Sequence, residues 1–215
     1  MQLAAFQTEF LPSLYNALPS AEEADQKVRA QGVLDRVLSE AGPVFIKCGV
    51  NDQFGVSLLH KHNGCSEGVW MTEYQAVING EQALVTKPTL TPPTNESAVP
   101  TTWRVDDGIY HPLEFSTDPR AKLLFAGARV PKGFLNEFAD ILDRHSASGF
   151  LGLAIVDREL YHLAINDEMG VEYSTSDPQC CCSSKPRQTE REHDRDSMDI
   201  QSKCRRAEDL PESLP

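Results

Sequence analysis

Basic residues are scarce in this sequence: 20 Lys and Arg stand against 32 Asp and Glu, a formal net charge of −12. A protein that holds nucleic acid through its overall charge needs the opposite balance, so no nucleic-acid partner is expected. The same acidic surface disfavours anionic membranes. Long apolar runs are missing too. The longest, Phe150 to Val156, is strand-sized, far short of the roughly 20 residues a helix needs to cross a bilayer. The first ten residues lack a basic start and a long apolar stretch, which makes them a poor secretory signal, and a cytoplasmic location is the expectation.

Cysteines in useful pairs are also lacking. Of the six, Cys180, Cys181 and Cys182 are consecutive, Cys204 lies in a polar stretch, and Cys48 and Cys65 fall in the part that reads as folded. No C-x-x-C pair exists, so neither a zinc ribbon nor a dithiol redox motif is supported, and free thiols in a reducing compartment are the simpler reading. The cysteine triplet has no apolar or strongly basic neighbour to support an acyl anchor and is read as incidental. There is no P-loop, dinucleotide glycine pattern, G-x-S-x-G elbow or His-Glu-x-x-His helix, which disfavours ATP, nicotinamide and serine-hydrolase chemistry.

What is present is an alternation of helical and strand periods. Leu3, Phe6, Phe10, Leu14 and Leu18 recur at helical spacing over 3–18, split by Pro12. Ser20-Ala21-Glu22-Glu23 fits a capping box opening a helix at about 21–40, with Ala41-Gly42-Pro43 as its stop. From Pro43 the period changes to two, predicting a strand over 44–50 that turns at Asn51-Asp52-Gln53 into a strand over 54–62. Asn79-Gly80 joins strands at 69–78 and 81–87, so a four-stranded meander is expected. Residues 88–101 read as an exposed Pro- and Thr-rich loop. Strands at 103–105 and 109–115 flank Asp106-Asp107-Gly108; a further strand follows at 123–130, a helix at 133–146, and strands at 151–156 and 160–165. His145 reads as a charge suited to that helix's C-terminus, and His162 as lying on a half-exposed strand face. The expected architecture is one α+β domain over 1–173, helices segregated from a largely antiparallel sheet. Residues 174–215 carry few large apolar side chains and are expected to be a disordered tail. That tail holds seven Lys and Arg against nine Asp and Glu, so the acidic character belongs to the domain.

The stretch richest in chemistry is Phe54-Gly55-Val56-Ser57-Leu58-Leu59-His60-Lys61-His62, where strand alternation sets His60 and His62 on one face with Phe54, Val56 and Leu58. Three readings of the pair stay open. It can be structural, two hydrogen-bonding imidazoles at a strand end. It can do general acid/base work, with His111 as a further candidate, because imidazoles titrate near neutrality. It can direct two nitrogens at a metal, with Glu67, Cys65, His111 or Glu114 available as a third ligand. Cys48 reads as a small core residue, whereas Cys65, in a Gly-rich turn, reads as more exposed. A Cys–His nucleophilic pair is open if either thiol reaches an imidazole. Trp70, Tyr74, Trp103 and Tyr110 are candidates to line a pocket for a flat or apolar small molecule, with core packing the favoured alternative.

The spacing Gly55-x4-His60-x-His62-x4-Glu67 resembles the first motif of the cupins, double-sheet β-barrels that bind metal through such residues, and the resemblance implies His60, His62 and Glu67 as ligands. The second cupin motif has only a fragment, Pro131-Lys132-Gly133, with Asn136 where its His belongs. Over residues 20–90 the chain is also similar to a family of filamentous-fungal proteins with an aromatic-Gly-x-x-Leu-Leu-His-x-His segment, which implies that the stretch matters and brings no activity with it. The residues themselves lead to an expected small, cofactor-independent enzyme of isomerase, cyclase or lyase type, with a non-catalytic interaction or ligand-binding protein and a cupin-like metal enzyme as the alternatives.

Overall fold

The computed structural model describes residues 6, 7, 9–78, 81–90, 98–131, 133–156, 171–174 and 205–206. Its helices are α1 (Pro12–Asn16), α2 (Ala21–Gln31), α3 (Val33–Cys48), α4 (Pro119–Gly127) and α5 (Phe134–Arg144). Its strands are β1 (Phe54–Leu58), β2 (Trp70–Ile78), β3 (Glu81–Thr89), β4 (Val99–Asp106), β5 (Ile109–Ser116), β6 (Leu151–Ile155), β7 (Val171–Ser174) and β8 (Arg205–Arg206). The fold is α+β, with helices packed on a mixed, mostly antiparallel sheet in the order β1-β6-β4-β5-β2-β3-β7-β8. The expected strand at 160–165, His162 and nearly all of the 174–215 tail lie outside the described residues.

The capping box forms as its spacing predicts: Ser20 Oγ accepts from the Glu23 backbone N–H while Glu23 accepts from the Ser20 N–H at 2.8 Å. The helix does not run to residue 40. Gly32, at φ 55°, caps α2 and opens α3. The strand expected at 44–50 is not one: α3 passes through Gly42-Pro43 to Cys48. Pro43 removes one helical N–H, and the stop read there ignores what stands on either side of it. Val33, Val37, Ala41 and Phe45 repeat at four-residue spacing along the buried face of α3, and burial of that stripe outweighs the lost bond. Phe45 meets Phe134 and Phe138 of α5 edge to face at 5.0 and 5.4 Å between ring centroids. Lys47–Glu137 and the Arg144 and His145 contacts with Glu40 tie the rims of the two helices. His145 is the C-cap residue of α5, at its negative end as expected.

Two expected hairpins form, β2–β3 and β4–β5, both antiparallel. The four-stranded meander does not. With residues 44–50 helical, β1 pairs instead with β6, Phe54 opposite Ile155 and Leu58 opposite Leu151, while β2 lies parallel to β5. The expected strand at 123–130 is also overturned. Asp118 caps a helix by accepting from the Arg120 N–H at 2.7 Å, and Pro119 occupies its first turn. This α4 buries none of its side chains fully; Leu123 is 74% exposed, and Phe125 stacks on Trp103.

The core has two parts. One lies among α3, α5, β1, β4 and β6 and includes Trp103, Tyr110 and Leu153; the other collects Phe10, Tyr15, Leu18, Leu59, Met71, Leu113 and Phe115. No helix among the described residues is long and apolar enough to cross a membrane.

Candidate functional site

Strand β1 ends at Leu58, before the histidines. The segment that carries them is fixed by α1 and the turn after it. The Lys61 N–H donates to the Pro19 carbonyl at 2.9 Å, the His62 N–H to the Tyr15 hydroxyl at 3.1 Å, and the Cys65 N–H to Asn16 Oδ1 at 2.8 Å. Asn16 Nδ2 returns a bond to the Cys65 carbonyl at 2.7 Å. The expected helix over 3–18 shrinks to Pro12–Asn16, and this short turn sets the height of the histidine segment. Cys65, read as more exposed, is buried; its thiol donates to the Val69 carbonyl at 3.0 Å. Asn16 and that carbonyl draw it inward. Cys48 ends α3, half-buried against the first core cluster.

The two imidazoles meet edge to face, with ring centroids 4.6 Å apart. His62 Nε2 lies 3.2 Å from Glu114 Oε1, and its side chain is 1% exposed. A carboxylate brings no proton to that bond, so Nε2 carries the hydrogen and Nδ1 is the basic nitrogen of the neutral ring. His60 is 8% exposed, with Nδ1 3.2 Å from the Leu58 carbonyl. A carbonyl only accepts, so in neutral His60 the basic nitrogen is Nε2.

Glu114 completes the arrangement. Burial pushes its carboxyl upward, yet the hydrogen bond and charge of His62, a hydrogen bond from Glu73 and the charge of His60 outweigh that and hold it below the usual carboxylate range. Glu73 on β2 is buried as well, and Thr101 Oγ1 donates to its Oε2 at 2.7 Å. Burial raises the Tyr15 phenol, which stays protonated at neutral pH. Glu114 stands at an irregularity of strand pairing. On β4–β5 the register passes from Pro100↔Phe115 to Thr102↔Glu114 and then to Trp103↔Pro112, leaving Thr101 and Leu113 as extra residues. Such bulges re-aim side chains, and here they flank Glu114 and Thr101.

The other candidates are dispersed. Trp103 and Tyr110 are fully buried in the first core cluster; Tyr110 donates to the Leu135 carbonyl at 2.7 Å, and Trp103 is packed by Phe6, Phe54 and Phe125. Trp70 packs half-buried on Phe10 and Phe115, and Tyr74 lies under the Lys87 ammonium, 4.9 Å from its ring centroid. These four aromatics do not form one lining. His111 is the register partner of Arg104, and among the described residues neither its Nδ1 nor Arg104 Nε has a hydrogen-bond partner. Glu67 sits exposed in the turn before β2, and among the described residues no three His, Cys, Asp or Glu side chains are placed to hold a metal ion, so the trio the cupin resemblance implies does not fit one. Glu114 was legible only as one optional metal ligand, while Glu73, Thr101 and Tyr15 carry no motif that marks them.

No family model, curated protein or solved structure matches the chain.

Proposed function

We propose that His60, His62 and Glu114 form an acid/base site, and that the protein is a small enzyme acting without a cofactor on a small organic molecule, in an isomerase, cyclase or lyase type of reaction. The observation that carries this reading is the bond from His62 Nε2 to a buried carboxylate, with a second imidazole against the same ring. The carboxylate fixes the tautomer and stabilises the imidazolium that forms when Nδ1 takes a proton. His60, close to that charge but held through its own Nδ1, is the partner whose Nε2 returns a proton or polarises a carbonyl.

The test is proton exchange into a panel of small carbonyl compounds in heavy water, followed by NMR. Exchange at an α-carbon by the full chain, falling by about 10²–10⁴ in His62→Ala and His60→Ala, is the expected result. Equal rates in the variants, or no exchange across the panel, refute it.

A second reading has its own support. The near-complete burial of the His62 side chain favours a structural lock in a non-catalytic interaction or ligand-binding protein. In that case the same substitutions lower the melting temperature and leave no exchange to lose.

A further inference from the structure

Arg104 lies between Trp103 and Val105 on β4, and both of those side chains are buried in the first core cluster. Strand alternation therefore turns Arg104 to the other face of the sheet, where its Nη1 donates to the Leu14 carbonyl of α1 at 3.5 Å. His111, its register partner on β5, follows Tyr110, another residue of the first cluster. The guanidinium and the imidazole thus stand as cross-strand neighbours on that face.

The side of the guanidinium formed by Nε and Nη2 carries two parallel N–H groups, which match the two oxygens of a carboxylate. Nε is buried and bonds to nothing among the described residues. Nη2 has Asp106 Oδ1 4.0 Å away, beyond hydrogen-bond length, on a side chain 51% exposed. His111 Nδ1 is also buried without a partner, and no hydrogen bond among the described residues fixes the tautomer of that ring. Nδ1 is therefore free to carry a hydrogen and donate it. Leaving a buried donor unsatisfied is costly, and here two come from neighbouring side chains beside one positive charge.

The pair stands close to the histidines. Thr102, two residues before Arg104, is the register partner of Glu114, so about 7 Å of strand separates Arg104 from the place of the acid that holds His62. Helix α1 touches both, Leu14 through its carbonyl on Arg104 and Tyr15 through its hydroxyl on the His62 N–H.

The geometry points to an oxyanion site: Arg104 Nε and Nη2 bind two oxygens of a carboxylate or phosphate group, and His111 Nδ1–H donates to one of them. Such a group turns both unsatisfied donors into charge-assisted hydrogen bonds. Taking that group for the anionic end of the substrate rests on the acid/base reading above; the binding of an oxyanion does not.

Acetate and inorganic phosphate, titrated separately into the ¹⁵N-labelled full chain at constant ionic strength, test the site by NMR. The Arg104 Nε–H and His111 ring signals should shift together and saturate at millimolar anion, and the anion that saturates first tells a carboxylate site from a phosphate site. Arg104→Lys keeps the charge and loses the fork, and its affinity should fall by about tenfold or more. No saturable shift with either anion, or an unchanged affinity in R104K, overturns the proposal; if R104K does not fold, the wild-type titration decides. A fork closed by Asp106 in solution would give binding in Asp106→Asn alone, and that result overturns it as well. Anion binding without α-proton exchange would refute the enzyme reading and leave the site intact, and exchange without anion binding would do the reverse. Where both occur, an α-oxo acid should exchange faster than its methyl ester, and equal rates would overturn the substrate assignment.

Discussion

At the scale of single residues, the His62–Glu114 pair is costly to bury and more costly to break. Each partner's desolvation is offset by the other, His62 Nε2 lying 3.2 Å from Glu114 Oε1. Glu114→Ala leaves an imidazole in a dry site without its counter-charge, and a loss of about 3–5 kcal/mol is expected from urea unfolding at neutral pH. Glu114→Gln, which keeps a hydrogen-bonding group of the same size, should lose less. Equal losses for the two variants would show that the charge on Glu114 contributes nothing.

At the scale of elements, β6 is held between β1 and β4, and one position governs how closely it lies. A Cβ on Gly152 would run into the Trp103 backbone carbonyl of β4 and lie 2.9 Å from both Leu59 methyl carbons. The carbonyl belongs to a paired strand and cannot swing away. On β1, a Cβ on Gly55 would meet the Val156 Cγ2 methyl at 2.6 Å, the end of a side chain just past the end of β6, which can turn. Gly152→Ala should therefore cost about 1–3 kcal/mol and Gly55→Ala clearly less, measured as shifts in urea midpoint. The reverse order would mean that β6 is not seated as described. Because Leu59 opens the histidine segment and its N–H donates to the Phe150 carbonyl at 2.8 Å, Gly152→Ala should also disturb the His60 and His62 ring resonances.

At the scale of the whole molecule, the buried carboxylate makes stability depend on pH in a definite direction. Glu114 has a folded pKa lowered from 4.5, so the unfolded chain binds its proton more readily than the folded one. Its contribution is complete above the unfolded value and is lost as pH falls through the folded one. Unfolding free energy should decline as the pH is lowered below about 4.5, and the decline should be shallower in Glu114→Gln than in wild type. A variant with the same acid slope would remove Glu114 from the account. The exposed Lys47–Glu137 and Arg144–Glu40 pairs, open to solvent and salt, should contribute little to that slope.

Much of the architecture was legible because it is written in local signals. The Ser20/Glu23 box, the β2–β3 pairing, the Asp106-Asp107-Gly108 turn and the apolar stripe of α5 each need only neighbours within a few residues, and all of these elements form. The errors share one cause. Pro43 looks like a stop until Ala41 and Phe45 are seen buried on either side of it, and Leu123 to Val130 looks like a strand when the Asp118-Pro119 start is passed over. The site divides in the same way. His60 and His62 stood out in the sequence because two imidazoles two residues apart in an apolar run are unusual. Tyr15, Glu73 and Thr101 could not stand out, since they are 28 to 86 residues apart along the chain and ordinary in their own segments. Sequence alone determined the α+β class, the two hairpins and the histidine pair, because those depend on periodicity and turn chemistry. Tertiary structure decided that β1 pairs with β6, that α1 rather than a strand ladder holds the histidines, and that two buried acids stand behind His62, because burial, strand register and bulges are properties of the assembled sheet.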